Sequence, residues 1–261
     1  MLIDTHCHLN YEYEGGRGPG DLVADALKNG VETLITIATE PENFERVQKI
    51  SEQFINVYHT IGVHPHEASC VNNEVLAMMR PFLDHPKCLA VGEIGLDYYY
   101  EHSDRSKQQK ECWSQMELAL ETKKPLVIHS RDGEEDLLPL LTRFAKESKS
   151  DASPGVIHCF SGSEKFALDC LNLNYYISLS GILTFKNSEP LRQMVKKFPV
   201  NRLLVETDSP FLAPVPLRGK KCEPFMVKHT AQKLAEILDL PLDELARITT
   251  ENAKACFRIP T

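Results

Sequence analysis

Residues 3 to 9 read IDTHCHL, with His6 and His8 one residue apart at the end of a short apolar run. In a β-strand, residues i and i+2 share a face, so two imidazoles converge on one target while Cys7 points away. Such a pair by itself is more often two incidental polar residues than a metal site. Four more ionisable residues end other apolar runs: Glu93 in VGEIG, His129 in VIHSR, His158 in VIHCF and Asp208 in VETDS. Any one of these alone is a polar loop residue satisfied by its neighbours. Six together, each costly to bury unpaired, point to a shared divalent metal centre. Four imidazoles and two carboxylates without a thiolate cluster suit Zn²⁺, Mn²⁺, Fe²⁺, Co²⁺ or Mg²⁺. Six ligands exceed what one catalytic zinc with an open position takes. Two ions about 3.5–4 Å apart, bridged by a carboxylate and a water or hydroxide, use them all and supply a hydrolytic nucleophile at neutral pH. Glu93, on the middle strand of the run, is the candidate bridge.

Glu206 shares a strand face with Asp208, and Asp4 stands in the same relation to His6. Each is expected either to orient a water or ligand from behind the ions or to be a polar residue of the interior. His64 and His66 in GVHPHE imitate the opening pair, but Pro65 between them leaves their facing open. One of them, with His64 as the candidate, is expected to touch substrate rather than metal.

Elements must bring these residues together. Eight short β-like runs lie at 2–6, 32–38, 55–62, 88–95, 125–130, 155–160, 175–181 and 202–208, with amphipathic segments between them. They are mostly continuous rather than alternating apolar runs, as parallel strands covered by helices require. The segment SDRSKQQKECWSQMELALETKK reads as a helix with Ser103 as N-cap, and PENFERVQKI opens on Pro41 near a first helical turn. Eight strands alternating with helices predict an α/β fold, a (β/α)₈ TIM-type barrel formed by residues 1–261 as a single domain. The tail PLDELARITTENAKACFRI adds a C-terminal helix packed on it. In such a barrel the strand ends meet at one mouth, where the active site of this fold lies. The alternative, an open doubly wound sheet, is weakened because no Gly-rich phosphate fingerprint follows the first strand. The irregular stretch DSPFLAPVPLRGKKCEP after the eighth run is long enough to be functional.

Composition narrows the partners. With 29 Lys and Arg against 37 Asp and Glu, the net charge is −8, which argues against a broad basic surface for duplex nucleic acid. The eight cysteines, at 7, 70, 88, 112, 159, 170, 222 and 256, show neither zinc-knuckle nor disulfide spacing. No run reaches the length of a membrane span, and MLIDTHCHLN lacks a signal pattern, so a cytoplasmic location is expected.

With these residues in place, the sequence resembles the TatD family of metal-dependent deoxyribonucleases across essentially its whole length. The carrying motifs are IDTHCHL, GVHPH, VGEIGLDYY, PLVIHSR, HCFSG and ETDSPFLAP. The resemblance implies a barrel that hydrolyses DNA phosphodiester bonds with two divalent ions per chain, Mg²⁺, Mn²⁺ or Zn²⁺. It implies that His6, His8 and Asp208 hold one ion and His129 and His158 the other, with Glu93 shared. Only the resemblance points to nucleic acid. Three departures stand out: Tyr100 and Glu101 follow GLDYY where an arginine is usual, Cys222 in RGKKCEP replaces an asparagine, and Arg131, Asp132, Gly133 stand where R-x-A is frequent.

In the mechanism this suggests, Asp208 takes the proton of the attacking water, so Asp208 and Glu93 are the catalytic candidates. Arg131, with Arg218, Lys220 and Lys221 of the RGKK loop, is expected to neutralise flanking phosphates. A narrow mouth and an acidic chain favour single-stranded DNA ends as substrate, with Phe160, Tyr98 and Phe211 as candidate stacking platforms. No membrane and no obligate protein partner is implied. Two rival readings are an amide or lactone hydrolase on the same type of barrel and a non-catalytic metal-binding scaffold.

Overall fold

A computed structural model describes residues 1–149 and 152–260 of the chain. Eight parallel strands follow one another in ring order: β1 (Leu2–Cys7), β2 (Val31–Ile37), β3 (Val57–Ile61), β4 (Cys88–Asp97), β5 (Leu126–Arg131), β6 (Gly155–Ile157), β7 (Tyr176–Leu179) and β8 (Leu203–Val205). Helices fill the connections: α1 (Pro19–Lys28), α2 (Phe44–Gln53), α3 (Asn73–Leu83), α4 (Arg105–Thr122), α5 (Glu134–Glu147), α6 (Glu164–Asn172) and α7 (Glu189–Val195). After β8 come α8 (Val227–Leu238) and α9 (Leu242–Phe257), the latter being the expected C-terminal helix. The ring closes just past the strand ends, where Asp208 donates its N–H to the His6 carbonyl (2.9 Å) and His8 to that of Ser209 (2.8 Å). Asp4 fastens the same seam. Its carboxylate accepts from the Thr207 N–H (2.8 Å) and hydroxyl (2.6 Å), so it ties β1 to the exit of β8. The expected barrel is therefore present, nearly closed.

The two faces of the sheet carry different cores. Outward residues such as Leu34, Val91, Ile128 and Leu203 pack under the helices. Inward residues, among them Ile3, Ile35, Leu89, Val127, Val156, Tyr176 and Leu204, form a second cluster, closed from below by Ala253, Cys256 and Phe257 of α9 and by Ile259. The last helix is thus the floor of the barrel. One step of the strand period above this floor, the same strands turn from aliphatic to ionisable: Val127 is followed by His129, Val156 by His158 and Leu204 by Glu206.

Several boundaries differ from expectation. β6 and β8 are three residues each, so His158 and Asp208 lie past the ladder rather than within it. Asp208 sits at φ 59°, so the turn that follows β8, not a strand period shared with Glu206, aims its carboxylate. β4 is longer than expected and reaches Asp97. Helix α4 starts at Arg105 after Asp104, and Ser103 is not its cap; the Ser103 hydroxyl instead donates to the His66 carbonyl (2.8 Å) and accepts from the Ser69 N–H (3.1 Å). All eight cysteines are free thiols. Among the described residues, no helix is long and apolar enough to cross a membrane.

Candidate metal centre

Glu93 sits at an irregularity of β4, where the pairing with β5 shifts register between Val91 and Ile94. Such breaks re-aim side chains beside functional sites. Its backbone is held from the other side, because Glu93 donates its N–H to the Ala38 carbonyl (3.3 Å) and the Gly92 carbonyl accepts from the Thr60 hydroxyl (2.6 Å). The approach is close enough that a Cβ on Gly62 would lie 2.5 Å from the Gly92 carbonyl carbon. The carboxylate, buried to 3%, points into the mouth with its two oxygens facing different partners. Oε2 lies 3.4 Å from His6 Nε2. Oε1 faces three imidazoles: His158 Nε2 at 2.7 Å, His129 Nδ1 at 3.0 Å and His64 Nε2 at 3.4 Å. On the Oε2 side, Asp208 Oδ1 lies 3.4 Å from His8 Nε2 and 3.7 Å from His6 Nε2.

These nitrogens lack what buried polar atoms normally have. His6 is fully buried, yet neither of its ring nitrogens makes a hydrogen bond. His158 Nε2 makes none either, although Glu93 Oε1 is so near. Unsatisfied buried nitrogens beside carboxylate oxygens are what an imidazole–carboxylate cage for cations presents when only its protein groups are counted. Three sets, His6–His8–Glu93, His6–His158–Glu206 and His64–Glu93–His129, each bring their donor atoms within 4.8 Å of one another. The residues therefore fit divalent metal, and all six candidates meet here.

Residues behind the cage set which nitrogen of each imidazole faces inward. His8 Nδ1 contacts the Ile37 carbonyl (3.3 Å), His158 Nδ1 contacts Glu206 Oε1 (3.2 Å), and His129 Nε2 contacts Asp97 Oδ2 (3.0 Å). Each outer nitrogen thus has an acceptor for its proton, which in the neutral ring leaves the lone pair on the inner one. Glu206 also accepts the Cys159 N–H (2.8 Å), so it orients the chain after β6 as well as the ring of His158. Burial opposes charge on Glu93, but His158 and the hydrogen bond with His129 outweigh it and hold the carboxyl well below the usual range. Asp208 is depressed in the same way, with burial overcome by His8 and His6. Burial lowers His64 to about 4, so this imidazole is neutral at pH 7.

Asp97 carries a role that composition and spacing did not single out. Besides His129 it holds His66 Nε2 (2.9 Å) and accepts the backbone N–H of Tyr99 and of Tyr100, both at 3.0 Å. Its signal was the strand period: Glu93, Gly95 and Asp97 alternate along a β4 that runs two residues further than its apolar core suggests.

The mouth is a cavity of about 530 Å³ bordered by His64, His66, Arg131, Asp208, Phe211 and Tyr11, among others. Arg131 lies over the rings of Tyr99 (4.0 Å) and Tyr100 (4.8 Å) and meets no carboxylate among the described residues. Phe211 is 51% exposed and stands edge-on to Tyr11 across 6.0 Å. Two expected platforms fail: Phe160 is 3% exposed and packs on Phe198, and Tyr98 is buried with its hydroxyl on Asp136 (2.8 Å). Neither ring has a face free for a base. The RGKK loop also turns from the mouth. Arg218 stacks on Phe185 (3.8 Å) and Lys221 Nζ donates to the Glu12 carbonyl (2.9 Å), while Cys222 fills a small apolar cluster with Ala213 and Met226.

The sequence model of the TatD related DNase family matches residues 3–258. The chain belongs to the TatD family. It is 39% identical to the metal-dependent hydrolase YabD of Bacillus subtilis over 259 residues, 99% of this chain and all of that one. It is 36% identical to the metal-dependent hydrolase YcfH of Escherichia coli over 261 residues, covering 99% of this chain and 96% of the relative. The crystal structure of YjjV, a TatD homologue from Escherichia coli, superposes with a TM-score of 0.90 at 30% identity, covering 99% of this chain and 98% of the other. By family, this TatD protein is a metal-dependent hydrolase on a TIM-type barrel.

Proposed function

We propose that this TatD protein, with residues 1–261 acting as one catalytic domain, is a two-metal deoxyribonuclease that hydrolyses phosphodiester bonds at single-stranded DNA ends in the cytoplasm. The observation that carries the reading is Glu93, whose two oxygens face separate imidazole groups across the floor of an open mouth. His6, His8 and Asp208 would hold one ion and His129 and His158 the other, with Glu93 placed where it could serve both. Two divalent cations in this cage supply Lewis acidity, making water a nucleophile at neutral pH and offsetting charge on the attacking and leaving oxygens. The imidazole-rich set suits Zn²⁺ or Mn²⁺ better than Mg²⁺, which prefers oxygen ligands.

The chain's own groups do the rest. The Asp208 side chain is 16% exposed at the edge of the cage, where its carboxylate meets the attacking water and takes its proton. Arg131, held flat by two tyrosine rings and free of acidic partners, meets a phosphate flanking the cleaved bond. Phe211, with Tyr11 beside it, offers a ring to an unpaired base. A cavity of about 530 Å³ takes a strand end or a splayed nucleotide rather than the width of a duplex.

The test is to strip the metals, restore Zn²⁺, Mn²⁺ or Mg²⁺ singly, and offer labelled single-stranded DNA, duplex DNA, RNA and a panel of amides and lactones. Release of mononucleotides from single-stranded DNA with at least one metal is expected. Amide or lactone turnover without any phosphodiester cleavage would overturn the nuclease reading, and no turnover of anything would favour the scaffold.

A further inference from the structure

His64 stands apart from the other imidazoles of the mouth in one respect, the group on its outer nitrogen. The outer nitrogens of His8, His129 and His158 contact acceptors, a carbonyl oxygen or a carboxylate. The outer nitrogen of His64, Nδ1, contacts a donor: the backbone N–H of His66 at 3.1 Å, as the chain turns through Pro65 into a short 3₁₀ segment. A nitrogen that accepts an N–H must keep its lone pair, so in the neutral ring the proton is on Nε2. A protonated Nε2 has no lone pair to give a cation. Proximity alone would class His64 with the ligands, since its Nε2 lies 3.4 Å from Glu93 Oε1 and belongs to one of the three donor sets.

We propose that His64 is not a metal ligand but a hydrogen-bond donor, whose Nε2–H meets the oxygen of the reacting group on which negative charge develops. The geometry favours such a role, because His64 borders the cavity beside the inner nitrogens of His129 and His158. Its ring is held by the turn through Pro65 and by contact with His66 and His129, so the donor is in place before the substrate arrives. A fixed donor aimed at developing charge typically contributes on the order of 10²–10³ in kcat. The inference depends on the nuclease reading only for the identity of that oxygen, a phosphoryl one.

Two measurements test it on the full-length, metal-loaded protein. Long-range ¹H–¹⁵N correlation spectra of histidine-labelled, Zn²⁺-loaded protein, with His64 assigned by its loss in His64→Gln, should show Nε2 protonated and Nδ1 bare. A protonated Nδ1, or a metal-shifted Nε2, would overturn the proposal. His64→Leu should keep the zinc stoichiometry and chelator-competition affinity of the parent while kcat for bis(p-nitrophenyl) phosphate falls about 100-fold with little change in KM. His64→Gln, whose amide N–H reaches toward the same point, should recover part of the loss. Loss of one zinc in His64→Leu, or kcat within a factor of two of the parent, refutes the role. Should the parent cleave no phosphodiester, the proposed function fails, and the spectra and zinc stoichiometry still decide the proton and the ligand question.

Discussion

Asp97 holds a histidine in each direction, His129 toward the centre of the mouth and His66 toward the rim, and so fixes the ring whose inner nitrogen faces Glu93. Replacing it by Asn keeps the size but weakens that grip. In Asp97→Asn, metal affinity measured by chelator competition should fall about 10-fold, in the range found for partners of ligating histidines, with the far-ultraviolet spectrum unchanged. A second buried imidazole has nothing to do with the mouth. His59 lies on β3 with Nδ1 on the Ser51 hydroxyl (2.8 Å) and Nε2 without a partner, near His85, Lys87 and Lys124. Burial, reinforced by the neighbouring His85, Lys124 and Lys87 side chains, lowers it from 6.5 to about 3. Below about pH 6.5 the unfolded chain therefore binds a proton that the folded one refuses until about pH 3, and stability falls as pH drops through that window. At pH 5 the single group accounts for about 2 kcal/mol. Urea unfolding at pH 7 and pH 5 should show a smaller difference in His59→Gln than in the parent, and an equal difference would contradict the assignment.

At the scale of elements, the site is built where strands stop being regular. Glu93 sits at a register shift in β4, His158 follows the last residue of β6, and Asp208 turns inward through a positive φ beyond β8. The contact of Gly62 with Gly92 belongs to the same design. A methyl at Gly62 would meet the backbone of Gly92 and, at 2.8 Å, the Glu93 nitrogen, none of which can swing aside. Gly62→Ala should thus cost about 1–3 kcal/mol in urea unfolding and displace the Glu93 carboxylate, lowering metal occupancy measured by elemental analysis. Gly20→Ala is the control, because the nearest atom to its methyl is in the Phe54 ring at 3.9 Å. It should leave metal occupancy within error and should not lower stability.

Across the whole molecule, the barrel interior is divided into a floor that excludes water and a mouth that holds charge. α9 completes the floor, placing Phe257 against strand residues such as Ile3 and Leu204. Phe257→Ala opens a cavity there and should cost about 3–5 kcal/mol, seen as a lower Tm. Below the transition, metal stoichiometry should match the parent, because the ligands sit one layer higher. A parallel loss of metal would mean that floor and mouth are mechanically coupled.

The types and positions of His6, His8, Glu93, His129, His158 and Asp208 were legible in the linear chain, because each ends an apolar run and a barrel collects run ends at one mouth. So were the eight strands and the last helix, whose apolar patterns are set by burial alone. Strand ends were not legible, since the chain has already left the ladder at His158 and Asp208, and hydrophobicity does not record that turn. Nor was burial of individual rings: Phe160 and Phe211 are the same residue type near the same mouth, and only packing against Phe198 hides one and leaves the other bare. The opening pair shows the division most clearly. Sequence sufficed to aim His6 and His8 at a cation, whereas the protons that separate ligands from the donor His64 are placed by hydrogen-bond partners such as Ile37, Asp97, Glu206 and the His66 amide. Three of those four lie at least 29 residues from the imidazole they orient, so only the closed barrel brings them within reach.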